Sequence, residues 1–461
     1  MKTVSYLFFA LSLVACQPKA GQAQIRLDST LLTVDTVISG IDIPWEISWG
    51  PDNHIWMTER YGRISRVNPT TGQQQVLATL TDVTAQSESG LLGLVLHPNF
   101  VDTPWVFVAY TYSLGNAIYE RIIRLNYQNN LLVRADTLME AIPGNSTHNG
   151  ARLLITPDRK LLVTTGDAQN TSSPQNLSSA NGKVLRFNLD GSIPDDNPNP
   201  QSPVWSFGHR NAQGLLLHPN GLIYSSEHGP SSDDELNIIY RNRNYGWPNV
   251  VGPCDAQNEL FFCATNNVAE PIAWWTPTTA VSDLIWYDHP SIPEFRNRIL
   301  LTTLKDKELY VMQLNAAGDS VLSQRIFLTN RFGRLRDICT DASGAIYLAT
   351  NGQNWFNDSP FTHSIIRLRN TNWNPNTSVA PNDRGMGIKL YGNPLSPDSK
   401  LVLPEKAWGS SYRLRDLSGR TVLEGQAETA EMYPHNWPIA AGTYLLEFQK
   451  GTQQQSFKLI R

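Results

Sequence analysis

Short apolar runs follow turn residues again and again along this chain. Pro51-Asp52-Asn53 leads into His54-Ile55-Trp56-Met57-Thr58, and His97-Pro98-Asn99-Phe100 leads to Trp105-Val106-Phe107-Val108-Ala109-Tyr110. Thr156-Pro157-Asp158 precedes Leu161-Leu162-Val163-Thr164-Thr165, and His218-Pro219-Asn220-Gly221 precedes Leu222-Ile223-Tyr224-Ser225-Ser226. Phe295-Arg296-Asn297 and Asp341-Ala342-Ser343-Gly344 introduce Ile299–Thr303 and Ala345–Thr350. A partner strand often follows, frequently carrying Arg or Lys, as in Gly62–Val67, Arg121–Leu125, Lys183–Phe187, Glu308–Met312 and Ser364–Leu368. Six such units run from about 40 to about 370, and a unit of about four strands repeated radially is a propeller blade. The pattern therefore predicts an all-β fold with a six-bladed β-propeller over 37–370. No amphipathic helix of useful length is visible.

The texture changes after Arg369. Asn370–Gly387 is rich in Asn, Pro and Thr and reads as a linker. Residues 388–461 hold short strands such as Tyr412–Asp416 and Thr443–Phe448, which predicts a small C-terminal β-sandwich.

Composition narrows the function classes. With 41% hydrophobic and 17% charged residues among 461, the chain is too apolar for disorder. Its 37 Lys+Arg against 41 Asp+Glu offer no basic field to hold nucleic acid. Residues 1–23 read as a leader. Lys2 is followed by the apolar run Val4–Val14, too short to remain as a membrane-spanning helix. Leu13-Val14-Ala15-Cys16 resembles a bacterial lipobox, which would put a lipid anchor on Cys16; the other reading is cleavage near Ala20-Gly21-Gln22-Ala23. Either reading sends the protein to the periplasm, the cell surface or the medium, with no later transmembrane helix. Cys254 and Cys263 sit nine apart in a Gly/Pro/Asn-rich loop where an oxidising compartment would permit a disulfide, and Cys339 falls in an apolar run suited to the core.

Four stretches carry candidate chemistry. His148, in Ser146-Thr147-His148-Asn149-Gly150, stands in a turn just before a strand, where a general base can reach a substrate; a loop His bonded to backbone is the plainer reading. Gly208-His209-Arg210-Asn211 sets a guanidinium fork beside an amide, suited to a carboxylate-bearing or quinone-like ligand or to a brace between blades. Ser226–Asn237 is an oxygen-rich loop of the kind Ca²⁺ accepts, without EF-hand spacing, and would otherwise be an acidic solvated turn. Asn244-Tyr245-Gly246-Trp247-Pro248 reads as an aromatic packing turn.

Taken in order, these stretches resemble the soluble glucose/sorbosone dehydrogenases, aldose dehydrogenases dependent on pyrroloquinoline quinone. The resemblance runs from Val37 to Arg369 and includes Glu88-Ser89-Gly90-Leu91-Leu92-Gly93 with His97-Pro98-Asn99-Phe100, and Arg334-Leu335-Arg336-Asp337. It implies His148 as general base at the anomeric carbon of an aldose, with Arg210 stabilising charge on the quinone and Asn211 beside it. It implies backbone carbonyls of Gly229 and Pro230 on a Ca²⁺ that polarises the cofactor, and Lys305, Arg334 and Arg336 as a cationic ring around the cofactor carboxylates. Glu88 and Thr278 complete the implied cofactor set, and an external acceptor would take the electrons. Two departures stand out: Thr147 replaces an acidic residue that would orient the His and raise its basicity, and Glu88 stands where some members carry Gln. The tail is similar to the sorting domain of the Bacteroidetes type IX secretion system, on Leu390–Pro394, Leu414–Arg420 and Ala441–Leu446. A Ca²⁺-dependent propeller lactonase and a non-catalytic binding propeller are the competing readings. Lys305, Arg334 and Arg336 fit an anionic cofactor better than the metal-centred channel of a lactonase.

Overall fold

The computed structural model describes residues 23–353, 360–373, 388–391, 399–416, 420–440, 442–451 and 453–461. The leader with Cys16, most of the linker, and parts of the three tail motifs (392–394, 417–419 and 441) lie outside the described residues. The chain divides into two compact units, 1–371 and 372–461.

Among the described residues the first unit holds six antiparallel sheets. Five are four-stranded meanders, opening at Pro44–Trp49, Leu91–Leu96, Gly150–Ile155, Ala212–Leu217 and Val281–Tyr287. The sixth opens at Arg334–Thr340 and has five strands. Its last two, Leu31–Ser39 and Ala23–Arg26, come from the start of the unit, so strands from the beginning and the end of the first unit are sewn into one sheet. These two strands lie at or ahead of the expected boundary at 37. The opening strand of each sheet packs against that of the next, and Arg334–Thr340 packs back on Pro44–Trp49. This β-propeller arrangement leaves only short edges exposed. Second strands such as Ile55–Glu59 and Ile346–Asn351 are buried at every position, which explains their continuous apolar runs in place of strict alternation.

Every opening strand carries a register shift near its start: at Pro44/Glu46, Leu91/Leu94, Gly150/Leu153, Ala212/Gly214, Val281/Leu284 and Leu335/Asp337. A β-bulge re-aims a side chain. Here the shifted segments include Arg152, Gln213, Asp283 and Arg336, all nearly buried.

Arg152 is the hub of this set. Its guanidinium pairs with Glu46, donates to Asp337 Oδ2 at 2.6 Å and to the Gln213 carbonyl at 2.8 Å, and lies 3.6 Å from Asp283. It also sits over the Trp45 ring, 4.6 Å from the centroid. One guanidinium cannot neutralise three carboxylates. Burial, with repulsion from Asp337, pushes the Asp283 carboxyl up to about 8, and Glu46 and Asp337 are raised too. Asp283 therefore holds a proton in the folded protein that an unfolded carboxyl, with a pKa of about 4, gives up. The linkage sign follows: native protein binds more protons between these values, so stability falls as pH rises from about 4 to about 8. Thermal melts at pH 5, 7 and 9 are expected to give descending midpoints, and Asp283→Asn should flatten that slope. A midpoint rising with pH would contradict the assignment.

Among the described residues one short α-helix forms, where the sequence shows no amphipathic pattern of useful length. Gln257–Asn266 is a ten-residue helix within the loop between the third and fourth strands of the fourth sheet. Its weak apolar periodicity hides it in sequence. Tertiary ties hold it: Glu259 accepts from the Val251 and Ala256 amides, and Cys254 and Cys263 form a disulfide. Cys339 is a buried free thiol.

In the second unit, two antiparallel sheets share one apolar cluster built from Leu401, Leu414, Leu446, Phe448 and Leu459. Among the described residues no helix is long and apolar enough to cross a membrane.

Candidate active site

The candidate residues occupy one end of the ring. Glu88, His148, Arg210, Asn211 and Thr278 precede opening strands, and Arg334 and Arg336 lie at the start of one. Asp167, the Gly229-Pro230 pair and Lys305 follow second strands, which run antiparallel and finish at the same end. Residues far apart in sequence thus meet because an antiparallel ring brings every such junction to one end.

His148 is the centre. Its Nδ1 lies 2.8 Å from Asp167 Oδ1, and its Nε2 lies 3.2 Å from Arg210 Nη2. Asp167 is 1% exposed and also accepts from the Gln169 amide at 2.8 Å and from Trp247 Nε1 at 2.9 Å. Burial pulls its carboxyl upward, but the bonds from His148, Gln169 and Trp247 outweigh burial and hold it below the usual range. An ionised carboxylate only accepts, so Nδ1 carries the proton and the Nε2 lone pair faces the site. Thr147, which stands where an acidic residue would orient the imidazole, does not supply this contact. The carboxylate comes from Asp167, nineteen residues on. Thr147 instead accepts from the Gln169 side chain.

The backbone here is locally constrained. His148, Ala168 and Gln169 all have positive φ, at 59°, 49° and 63°. Glu88 Oε2 accepts from the His148 amide at 3.2 Å, and the Ala168 amide donates to the His148 carbonyl at 3.0 Å. A Cβ on Gly166 would come 1.8 Å from that carbonyl, so only glycine permits this approach.

Arg210 joins the imidazole to the Gly229 loop. Its Nη1 donates to the His228 carbonyl at 3.1 Å, and its guanidinium lies over the Trp247 ring, 5.3 Å from the centroid. Trp247, read in sequence as packing, therefore touches both Asp167 and Arg210. Asp234 organises the neighbouring loop. Its buried carboxylate accepts from the Gly229 amide at 2.9 Å and from the Thr279 and Ala280 amides at 2.7 and 2.6 Å. Lys305 Nζ donates to the Thr278 carbonyl at 2.6 Å, and among the described residues no carboxylate pairs with it. Burial, then Arg334 beside it, push the Arg336 guanidinium down to about 9, with Glu88 opposing. Burial and nearby Glu227 push the Glu235 carboxyl up to about 8, on the wall of a small cavity it shares with Gly229 and Pro230.

Among the described residues, the buried atoms Arg210 Nε and Asn211 Nδ2 find no hydrogen-bond partner. Buried donors left open beside clustered cations fit an anionic ligand rich in acceptor oxygens.

On this β-propeller, a carboxylate-backed imidazole beside a guanidinium is an arrangement that can move a proton next to negative charge. The chain belongs to the glucose/sorbosone dehydrogenase family, whose model matches residues 41–355. It is 38% identical over 249 residues to the quinoprotein glucose dehydrogenase B of Acinetobacter calcoaceticus, a match over 47% of this chain that spans about half (52%) of that relative's length. It is 29% identical over 338 residues to an aldose sugar dehydrogenase of Escherichia coli, covering 69% of this chain and 90% of the relative. The PQQ-bound aldose sugar dehydrogenase of Streptomyces coelicolor superposes with a TM-score of 0.64 at 28% identity, over 73% of this chain and 98% of that one.

Proposed function

We propose that the protein is a quinoprotein sugar oxidoreductase that converts the anomeric carbon of an aldose to the lactone, on a six-bladed propeller. The observation that carries this reading is the meeting of His148 Nε2 with Arg210, 3.2 Å apart, backed by Asp167. The sugar dehydrogenases to which the chain is similar agree with it. Arg210, Asn211, Thr278, Lys305, Arg334 and Arg336 would hold pyrroloquinoline quinone, with Glu88 at the rim, and the Gly229 and Pro230 carbonyls would hold Ca²⁺. When bound, the quinone supplies the acceptor for the hydride that leaves the sugar carbon. His148 Nε2 takes the hydroxyl proton, and the resulting imidazolium is steadied by Asp167. Arg210 Nη2 lies 3.2 Å from that nitrogen, close enough to donate toward negative charge developing on the acceptor beside the base.

The cationic set Lys305, Arg334 and Arg336 suits an anionic cofactor and favours this reading over a metal-centred lactonase. The leader and tail complete the proposal: export from the cytoplasm, with residues 388–461 as a β-sandwich sorting domain and Cys16 either lipidated or removed with the leader. The test adds pyrroloquinoline quinone and Ca²⁺ to purified apo protein and measures aldose-dependent reduction of a dye. No reduction across a panel of aldoses, despite quinone binding, would point to a binding propeller. Lys305→Ala is expected to weaken quinone affinity by roughly tenfold to a hundredfold, the worth of one charge-assisted bond, and excess quinone should partly restore turnover.

A further inference from the structure

We propose that Gln213 is a positioning residue of this site, which fixes the amide of Asn211 and ties it to Arg336. The inference rests on the quinone-binding reading and deepens it. Gln213 is the residue at the register shift of its strand and is 7% exposed. Its Nε2 donates to Asn211 Oδ1 at 3.0 Å, and its Oε1 accepts from Arg336 Nη1 at 3.3 Å. The Arg336 guanidinium can only donate, so the Gln213 amide has one permitted orientation, with its NH₂ toward Asn211. Asn211 Oδ1 accepts a second bond, from the Gly150 amide at 3.1 Å. Both donors face the oxygen, so Asn211 is fixed as well. Its Nδ2 is turned away, buried, and meets no acceptor among the described residues. An unpartnered buried NH₂ on a 0% exposed side chain, two residues from Gln213, is a donor held ready for an oxygen of a ligand.

The Gln213 main chain is anchored independently, by the bond from Arg152 Nε to its carbonyl. The strand therefore stays in place when the side chain changes, and the amide itself can be tested. Gln213→Glu is nearly isosteric. It keeps an acceptor for Arg336 but sets a second acceptor against Asn211 Oδ1. Asn211 then turns its NH₂ toward the new carboxylate, and its oxygen replaces the donor that faced the ligand. Gln213→Leu removes both bonds.

The experiment titrates apo wild type, Gln213→Glu, Gln213→Leu, Asn211→Ala and the Gln213→Glu/Asn211→Ala double variant with pyrroloquinoline quinone in Ca²⁺, reading quinone absorbance and tryptophan fluorescence. Gln213→Glu is expected to weaken binding about tenfold, as Asn211→Ala does, and the double variant should be no worse than Asn211→Ala alone. The turned amide withdraws Oδ1 from the Gly150 amide, so the thermal midpoint of apo Gln213→Glu should fall modestly with the fold retained. Wild-type affinity in Gln213→Glu, or full additivity with Asn211→Ala, would overturn the role of Gln213 while leaving the functional reading intact. A wild-type protein that does not bind the quinone would overturn that reading, and this inference with it.

Discussion

His148→Ala is expected to lower turnover by roughly 10²–10⁴, the usual contribution of a positioned general base. Quinone affinity should change little, because in the proposed site the imidazole would take the sugar proton and the cations would hold the cofactor. Asp167→Asn provides the sharper test. The Asp167 carboxylate is what keeps the proton on Nδ1, 2.8 Å away. An amide there can present its NH₂ to Nδ1 and favour the tautomer whose Nε2 carries the proton, which leaves no lone pair for the sugar hydroxyl. Loss of the orienting carboxylate in an imidazole-based site costs up to about 10⁴. Single-turnover rates with saturating quinone separate this from a binding defect. Asp167→Asn should lose rate at unchanged quinone affinity, and the double variant with His148→Ala should be scarcely slower than His148→Ala alone. Wild-type turnover in His148→Ala would remove the mechanism, and additive losses would mean that Asp167 acts elsewhere.

Much of this was legible in the residues. Turn-then-strand units announced the sheets because each second strand is buried throughout and so spells an uninterrupted apolar run. His148 and Arg210 stood out because polar residues flanking a buried strand lie at its end. Asp167 is equally placed, two residues after Leu161–Thr165, but the neighbour of the imidazole in sequence is Thr147. An antiparallel ring makes partners of residues at the same end of different strands, so sequence adjacency is the wrong guide. The strands Ala23–Arg26 and Leu31–Ser39 were missed for a related reason: they complete a sheet whose other strands lie some 300 residues away, and no local period reports that. Gln213 and the charges around Arg152 depend on bulges, which leave no periodic signature at all.

Those charges make the second large effect. Arg152→Met is expected to destabilise the propeller by about 3–5 kcal/mol, the cost of stripping the partner from a buried ion pair. The methionine fills part of the volume, so the loss is electrostatic more than a cavity. Burial disfavours the Arg152 charge, but Asp283, Glu46 and Asp337 together hold it more firmly protonated than usual. Without it, three carboxylates from three different opening strands face one another in a space that excludes water. Each must then take up a proton to remain buried, which couples folding more tightly to acid. The variant should therefore lose stability more steeply than wild type as pH rises from 5 to 8, and should recover part of it at pH 5. Adding Glu46→Gln and Asp337→Asn should restore most of the loss, because neutral amides can share hydrogen bonds where carboxylates repel. Denaturant midpoints at both pH values read all of this. A variant as stable as wild type at pH 8 would show that the carboxylates tolerate one another without the guanidinium, and that Arg152 does not hold the ring's centre.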